Sequence, residues 1–448
     1  MTALPELRLG FVAIARTTFD IQLAQEVTAR ARALLAGSEL ALAGPETLVT
    51  TLDEAHSAAA HLADQPLDAL VILQATFADS TLALALVENL DAPPVLWAVP
   101  EAFTGERLRL NALCGINLAA HALMRASRPY DYLLAAPDDP AAAAKIRTVA
   151  RAGQVRRRLR DARIGRVGAH PEGFDTCHYD APGLRRLLGV QVEPLELAAV
   201  FASARAADPL MVDAVAAGLR ARAAGLDDLE PGPTRGTLAV YTALRDLADQ
   251  MQLDGLAVRC WPEFFTDLGC AACGALSLLS NDHTPGACEA DVHGAITQVL
   301  LQWISGEPAF GSDVVALDPD YDGLVLWHCG QAPLAMADPD AQLGVTIHSN
   351  RRLPLLFEFA LKPGRVTLAR LSVGPAGYRL VVGAGEIVRA PRRFSGTTGV
   401  LRCERPAAAV LDTILMEGLE HHLTLTYGDH VPVLLSLAKM LQLPVLRL

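Results

Sequence analysis

The sequence predicts an α/β protein whose C-terminal part is rich in β-structure. Two patterns carry this prediction. Residues 1 to about 160 alternate apolar, strand-like runs with Ala- and Leu-rich segments of helical spacing, which is typical of a parallel sheet flanked by helices. From about residue 335, short β-rich segments are separated by Gly, Pro and Asn, which indicates an antiparallel barrel or sandwich.

Composition limits the possible function classes. A chain of 448 residues is long enough for two or three domains, and its 51% hydrophobic share excludes a disordered protein. The net charge of −12 provides no basic surface for nucleic acid. The N-terminus lacks a signal-peptide pattern, and no apolar run approaches the ~18 residues of a membrane span. We therefore expect a cytoplasmic protein with free thiols and with no membrane or nucleic-acid partner.

The N-terminal part shows the alternation most clearly. Strand-like runs and helical segments follow each other in the order 9–15, 20–36, 53–64, 68–75, 79–89, 93–100, 107–126 and 130–136. No glycine-rich nucleotide-binding motif follows any of these strands. A long Ala/Arg-rich helix at about 140–161 then leads into a new strand and a Gly/Pro-rich loop. We expect three domains, covering residues 1–162, 163–333 and 334–448.

Two carboxylates stand out in the second predicted domain. Glu289 precedes an apolar segment that predicts a helix of roughly 15 residues from Val292, and such a helix rises about 22 Å. The segment that follows can return as an extended strand, which brings Asp313 back to the level of Glu289. Two carboxylates at one end of a helix–strand unit repel each other unless a cation or a shared proton lies between them. Carboxylate oxygens suit a hard divalent metal.

Several histidines are candidates for a third ligand. The pair His421 and His422 precedes the alternating run 423–428, so the two rings are predicted to point to opposite faces of a strand, one at the site and one supporting it. Other candidates are His283, His293, His328 and His430. The segment Trp-Pro-Glu from Trp261 to Glu263 offers an apolar wall for a sugar and a further acid.

With these residues in place, the chain resembles the L-fucose isomerase and L-arabinose isomerase superfamily. The most specific matches are Cys-Glu-Ala-Asp at 288–291, Gly-Ser-Asp-Val-Val around Asp313, His-Cys-Gly at 328–330 and the C-terminal histidine pair. The resemblance implies two N-terminal Rossmann-like α/β domains followed by a C-terminal β-barrel-like domain. It also implies a homo-oligomer, a trimer or hexamer, with sites between subunits.

The resemblance assigns roles to individual residues. Glu289, Asp313 and His422 match the ligands of a divalent metal, with Mn²⁺ expected and Mg²⁺ or Co²⁺ as alternatives. Glu289 and Asp313 would also be the catalytic base and acid. The predicted substrate contacts are Arg16 and Trp97 from a neighbouring subunit, together with Trp261, Glu263, His328 and His421.

The implied function is a metal-dependent aldose–ketose isomerase that acts on a monosaccharide through an enediol. The substrate would be a fucose- or arabinose-like sugar or a C6-modified hexose such as a sulfosugar. A metal-assisted hydride shift would need the same ligands. Two other functions remain open: a non-catalytic sugar-binding sensor, and an epimerase or lyase that forms the same enediol.

Overall fold

The structure is a computed structural model that describes residues 5–38 and 40–448. The chain divides into two compact units. One runs to Arg158 and also includes Pro432–Leu443, and the other comprises Leu159–Val431 and Pro444–Leu448. Each unit has its own buried apolar core.

The first unit is built on a five-stranded parallel sheet. Its strands are β1 (Leu7–Ile14), β2 (Leu40–Ala43), β3 (Ala69–Gln74), β4 (Pro94–Ala98) and β5 (Asp131–Leu134). Its helices are α1 (Ile21–Ala36), α2 (Leu52–Ala63), α3 (Ser80–Val87), α4 (Ala112–Arg125) and α5 (Pro140–Leu159). The strand order is β2-β1-β3-β4-β5. All residues of β3 are buried, as expected of a parallel strand that is covered on both faces.

The second unit begins with a smaller parallel sheet. Its strands are β6 (Arg163–Val167), β7 (Gln191–Leu195), β8 (Gly255–Val258) and β9 (Gly286–Ala287), in the order β7-β6-β8-β9. The accompanying helices are α6 (Ala181–Leu188), α7 (Leu197–Arg205), α8 (Pro209–Arg220), α9 (Pro231–Met251), α10 (Cys273–Asn281) and α11 (Val292–Ser305).

The remaining strands form an antiparallel barrel with three added strands. They are β10 (Phe310–Asp318), β11 (Gly323–His328), β12 (Gly344–Thr346), β13 (Leu356–Ala360), β14 (Gly364–Gly374), β15 (Gly377–Val388), β16 (Thr397–Cys403), β17 (His422–Tyr427) and β18 (Val445–Arg447). Two further helices are α12 (Ala407–Met416) and α13 (Val431–Met440). Six strands close on themselves in the order β10-β11-β16-β15-β14-β17, because β15 pairs with β14 on one side and with β16 on the other. The prediction of two Rossmann-like sheets followed by a barrel is confirmed.

Helix α11 connects the smaller parallel sheet to the barrel. It contacts β8 on one side and β14 and β17 on the other, and its residues from Val292 to Ile304 are all buried. A helix that is buried all round fixes its ends firmly. The residues just before α11 are therefore held at a defined place beside the barrel.

The two predicted domain boundaries, after residues 162 and 333, stay predictions, but the pairing of strands bears on the second of them. Strands β10 and β11 precede residue 334 in the sequence, yet they pair with strands of the barrel. Over the residues described, no helix combines the length and the apolar character that a membrane crossing requires.

Candidate active site

Asp313 and His422 lie directly opposite each other on two barrel strands. The antiparallel register of β10 and β17 pairs these two residues, and directly paired residues point their side chains to the same face of a sheet. The Nε2 atom of His422 lies 3.6 Å from the Oδ1 atom of Asp313. The barrel thus brings together two residues that are far apart in the sequence.

Glu289 comes from the turn that precedes α11. The turn is anchored to the end of β8 by a hydrogen bond from the Ala290 amide to the carbonyl of Val258, at 3.0 Å. Both Glu289 and Ala290 have left-handed backbone conformations, with φ of +57° and +54°. Two consecutive non-glycine residues in this region cost conformational energy, and such strain is typical of functional sites.

The Glu289 carboxylate faces the histidine pair. Its Oε2 atom lies 2.8 Å from His421 Nε2 and 3.7 Å from His422 Nε2, and its Oε1 atom accepts a hydrogen bond of 3.3 Å from the Trp261 indole. Burial alone would raise the pKa of this carboxyl group, but the hydrogen bond with His421 and the electrostatic influence of the surrounding imidazoles outweigh burial and lower the pKa. Glu289 is therefore an ionised carboxylate at neutral pH.

The residues of this cluster fit a divalent metal ion. Oxygen atoms of Glu289 and Asp313 each lie within 3.7 Å of His422 Nε2, and among the described groups none donates a hydrogen bond to the buried Oδ1 of Asp313. A buried carboxylate oxygen without a donor is costly, and a cation would satisfy it. Two carboxylates and an imidazole match the preferences of Mn²⁺ and related ions.

Two thiols lie near the same imidazoles. Cys177 groups with Glu289 and both histidines of the pair, and Cys288 groups with His328 and His422, each within 4.8 Å. Burial, the largest cause, raises the pKa of both thiols well above the usual range. In the absence of a metal both thiols are therefore neutral at neutral pH, whereas the Glu289 carboxylate is ionised.

A buried ion pair holds His422 in place. Asp291 Oδ2 lies 3.0 Å from His422 Nδ1, so the carboxylate keeps the proton on Nδ1 and leaves the Nε2 lone pair facing Glu289 and Asp313. Asp291 also forms the N-cap of α11, where it accepts from the Gly294 amide at 2.8 Å, and it forms a two-bond ion pair with the fully buried Arg370.

His421 turns toward the same carboxylate as His422. The predicted opposite orientation of the two rings is wrong, since their centroids are only 4.0 Å apart. Strand β17 begins at His422, so His421 precedes the strand and the alternation of faces does not apply to it. The Nδ1 atom of His421 lies 2.7 Å from the Thr176 hydroxyl, which orients the ring.

His328 ends strand β11 inside a group of thiols. Its Nδ1 atom accepts a hydrogen bond from the Cys329 amide at 2.8 Å, so Nε2 carries the proton and donates to Cys288 at 3.0 Å. The sulfur atoms of Cys329 and Cys273 are 3.2 Å apart. His328 also lines the cavity described next.

These residues surround one end of a cavity of about 590 Å³. This volume suits a monosaccharide. Trp261 and Trp327 supply apolar walls, and Phe174 packs edge-on against Trp261 at 5.2 Å. Of the predicted site residues, the cavity lining includes Trp261, Glu289, Asp313, His328 and His421, while His422 lies directly behind them with 4% of its surface exposed.

Three other predicted contacts lie elsewhere. Glu263 forms an ion pair with Arg259 at 2.7 Å and is absent from the cavity lining. Trp97 is fully enclosed in the core of the first unit, where its indole donates to the Ala135 carbonyl, so it has no face for a sugar and is corrected to a core residue. Arg16 is exposed at the end of β1 in the first unit, where its amide donates to Thr76.

Three residues around the site were missed by the sequence analysis: Thr176, Arg351 and Arg370. Arg370 had a recognisable signal, because a single arginine in the middle of an apolar strand predicts a buried charge with an acidic partner. Thr176 and Arg351 lie in loops without a distinctive pattern.

Comparisons with known proteins cover the whole chain. The family model described as "Fucose/sulfoquinovose isomerase, N-terminal domain" matches residues 10–160, and that described as "L-fucose isomerase, C-terminal domain" matches residues 357–448. The chain is similar to a protein named sulfoquinovose isomerase from Alkalicoccus urumqiensis, with 32% identity over 99% of both chains. Proteins of the same name from Priestia aryabhattai and Clostridium sp. (strain MSTE9) are 30% and 31% identical, over 97% and 98% of both chains.

Proposed function

The chain belongs to the fucose and sulfoquinovose isomerase family and is therefore an aldose–ketose isomerase; we propose that it acts on a sulfosugar and depends on a divalent metal ion. The resemblance predicted from the sequence is confirmed by the two family models and by the full-length relatives. Because the relatives are named sulfoquinovose isomerase, sulfoquinovose is the first substrate to test.

The observation that carries the proposal is the convergence of Glu289, Asp313 and His422. Three elements that are distant in the sequence bring their ligand atoms to one end of the cavity, where the buried Oδ1 of Asp313 has no donor among the described residues. Convergent carboxylates without a cation would repel each other. A passive sugar-binding protein has no need for such an arrangement.

We propose that Glu289, Asp313 and His422 hold Mn²⁺, with Mg²⁺ or Co²⁺ as alternatives. A divalent ion in this site would act as a Lewis acid toward the oxygens on C1 and C2 of the sugar. The ligand set contains no thiolate, so it favours a hard ion.

The carboxylates of Glu289 and Asp313 would move the protons. Glu289, held ionised by His421 and by the Trp261 indole, is suited to remove the proton from C2. That proton is returned to C1, while Asp313 accepts the proton of the C2 hydroxyl and donates it to the oxygen on C1, so that the enediol is formed and consumed with no net gain or loss of protons. His421, which bridges Glu289 and Thr176, is placed to position the base and to contact a sugar hydroxyl.

Trp261 and His328 complete the proposed substrate contacts within the cavity. The indole of Trp261 presents an apolar face to the carbon chain, and His328 lines the same cavity, where its ring stacks on Trp327. The roles of Arg16 and of a homo-oligomer, a trimer or hexamer with sites between subunits, also remain proposals, as does a cytoplasmic location.

An isomerisation assay tests the proposal directly. The metal-loaded protein is incubated with sulfoquinovose, L-fucose, L-arabinose and D-glucose, and ketose formation is measured. We expect ketose from the sulfosugar, and we expect Glu289→Gln and Asp313→Asn to lower kcat by a factor of about 1,000 or more, since each removes a metal ligand and a proton-transfer group. Asp320→Asn is the matched control, because Asp320 is exposed in the turn after β10.

The outcomes separate the alternative functions. Binding of a sugar without any ketose, unchanged in both carboxylate variants, would indicate a sensor instead. Accumulation of an epimer or of a cleaved product would indicate an epimerase or a lyase. Incorporation of solvent deuterium at C1 or C2 supports the enediol path, whereas its complete absence supports a hydride shift.

A further inference from the structure

The lining of the cavity contains more acidic side chains than arginine or lysine side chains. Three carboxylates line it, those of Glu289, Asp313 and Glu420. Across the described part of the chain, the guanidinium of Arg351 is the one arginine or lysine cation in the lining, beside three imidazoles. A permanently charged anionic group on a ligand would be repelled by the carboxylate end of the cavity and attracted to Arg351.

Among the residues that the structure describes, Arg351 has no acidic partner to neutralise it. In the described residues its side chain forms no ion pair, and its guanidinium instead lies over two aromatic rings, with Cζ 4.8 Å from the centre of Trp261 and 5.2 Å from that of Phe265. Stacking on aromatic faces holds the plane of a guanidinium while its N–H groups remain free to donate. Such a group is prepared for a planar, two-bond contact with an oxyanion.

The loop that carries Arg351 is held in place by the buried side chain of His348. The buried His348 ring packs edge-on against Phe265 at 5.3 Å, and its Nδ1 atom accepts hydrogen bonds from the Asn350 and Arg351 amides, both at 3.3 Å. The loop is also closed by hydrogen bonds between the backbones of His348 and Leu353 and of Arg352 and His348. The position of the Arg351 backbone is therefore defined by the packing of His348 against Phe265 and by these hydrogen bonds.

The indole of Trp261 lies between Glu289 and Arg351 and contacts both. The indole of Trp261 touches Glu289 at one edge, with Nε1 3.3 Å from Oε1, and its ring centre lies 4.8 Å from the Arg351 guanidinium. A six-carbon chain with five bonds of about 1.5 Å each would lie along this indole with C1 and C2 at the carboxylate end. Its C6 substituent would then be at Arg351.

We propose that Arg351 is the residue that selects a sulfonate on C6 of the substrate. This inference rests on the proposed function, because it assumes that C1 and C2 are bound at Glu289 and Asp313. A C6 hydroxyl or methyl group gains little from a guanidinium, whereas a sulfonate gains a charge-assisted, two-bond contact. The single side chain of Arg351 would thus favour sugars with a C6 sulfonate over sugars with a C6 hydroxyl or methyl group.

The test compares Arg351→Gln with a neighbouring matched change, Arg352→Gln. Arg352 is exposed, is absent from the cavity lining and carries the same charge, so the two variants alter the net charge equally. The probes are the C6-sulfonated hexitol and the corresponding 6-deoxy hexitol, which cannot be isomerised, and their affinities for the Mn²⁺-loaded protein are measured by calorimetry. The kcat/KM for sulfoquinovose is measured in parallel.

The expected result is a selective loss. In Arg351→Gln, affinity for the sulfonated hexitol and kcat/KM for sulfoquinovose fall by roughly 100-fold, the usual scale for truncating one partner of a charge pair, and the ratio of sulfonated to deoxy affinity falls by the same factor. Arg352→Gln stays within threefold of the wild type. Arg351→Lys keeps the charge but loses the two-bond geometry, so it recovers only part of the affinity.

Two results would overturn the inference, and both differ from the result that would contradict the proposed function. The first is an Arg351→Gln protein that keeps its preference for the sulfonated hexitol within threefold. The second is an equal loss of affinity for both hexitols, which would assign Arg351 a structural role. If the wild type yields no ketose from sulfoquinovose, the proposed function fails, and the hexitol affinities still decide the role of Arg351.

Discussion

Replacing Asp291 by Asn should weaken the residues that support the proposed metal site while leaving its three proposed ligands in place. Asp291 touches no substrate cavity, but its two oxygens receive hydrogen bonds from Arg370, from His422 and from the Gly294 amide. Asn keeps the size of the side chain and is as good an N-cap as Asp. The substitution therefore removes a charge and one acceptor while leaving the start of α11 intact.

The expected loss of stability follows from the burial of Arg370. At about 4 Å and an effective dielectric constant of about 20, two opposite charges attract by roughly 4 kcal/mol, and breaking a buried pair costs about 3–5 kcal/mol in practice. Glu420 lies 3.8 Å from the Arg370 Nε atom and continues to compensate part of the charge. We therefore expect the free energy of unfolding to fall by about 3 kcal/mol.

The expected loss of metal affinity follows from the tautomer of His422. Each oxygen of Asp291 accepts at least two hydrogen bonds, so in either orientation an amide N–H faces a donor. The conflict at His422 is relieved if its proton moves from Nδ1 to Nε2, and that removes the lone pair needed for metal binding. Loss of such a supporting carboxylate lowers metal affinity by about 10- to 100-fold.

Two measurements on metal-stripped protein check both effects: urea unfolding, and Mn²⁺ titration followed by the magnetic resonance signal of the free ion. Asp313→Asn is the control, because it removes a proposed ligand without touching Arg370, and it should lose metal affinity while its unfolding free energy stays the same or rises. Asp291→Asn contradicts both expectations if its free energy of unfolding lies within about 1 kcal/mol of the wild-type value and its Mn²⁺ affinity lies within about threefold.

Three further predictions concern the barrel, acid stability and the metal. Gly330 has φ of +88°, and an added Cβ would lie 2.6 Å from the Phe357 carbonyl oxygen, so Gly330→Ala should lower the unfolding free energy in urea by about 2 kcal/mol or more; a change below about 0.5 kcal/mol would contradict this. Burial, aided by the charge of Arg351, lowers the pKa of His348 from 6.5 to about 4. The buried neutral imidazole therefore contributes about 2 kcal/mol to the free energy of unfolding above pH 6.5, and this contribution is lost as the pH falls toward 4. Urea unfolding at pH 7.5 and 4.5 should show a smaller pH dependence for His348→Asn than for the wild type, and an equal pH dependence would contradict this. Mn²⁺ at 100 times its Kd should raise the unfolding free energy by about 2.7 kcal/mol in the wild type and by much less in Glu289→Gln, and equal stabilisation of the two proteins would place the ion elsewhere.

Local patterns were sufficient to predict much of the fold. The alternation of strands and helices, the predicted helix from Val292 and the strand that returns to Asp313 correspond to observed elements. These features depend on periodicity within single segments, which a sequence displays directly. The rise of a helix and the extension of a strand were enough to predict that Glu289 and Asp313 lie at the same end of the helix–strand unit.

The features of the site that could not be predicted from local patterns depend on the pairing of strands that are distant in the sequence. No local pattern shows that β10 hydrogen-bonds to β17, so the placement of His422 opposite Asp313 rested on the family resemblance. The error about the two rings of the histidine pair came from the unknown first residue of β17, since a shift of one residue changes the face to which a side chain points. The prediction for Trp97 was wrong for a related reason, because its apolar strand β4 lies in the interior of the sheet, between β3 and β5, and its side chain is fully buried.

The closed barrel constrains how the chain can change in length. Strands β10 and β17 are each hydrogen-bonded on both sides, so neither lies at an edge where an extra residue could be accommodated by slippage. An insertion before Asp313 in β10, or after His422 in β17, would turn one of these two side chains away from the other. The β-bulge between Val314 and Ala316 lies just beyond Asp313 and affects the pairing with β11 but not with β17. We therefore expect insertions and deletions among related proteins to fall in the connecting loops. The number of residues in β10 and β17 next to Asp313 and His422 should stay the same.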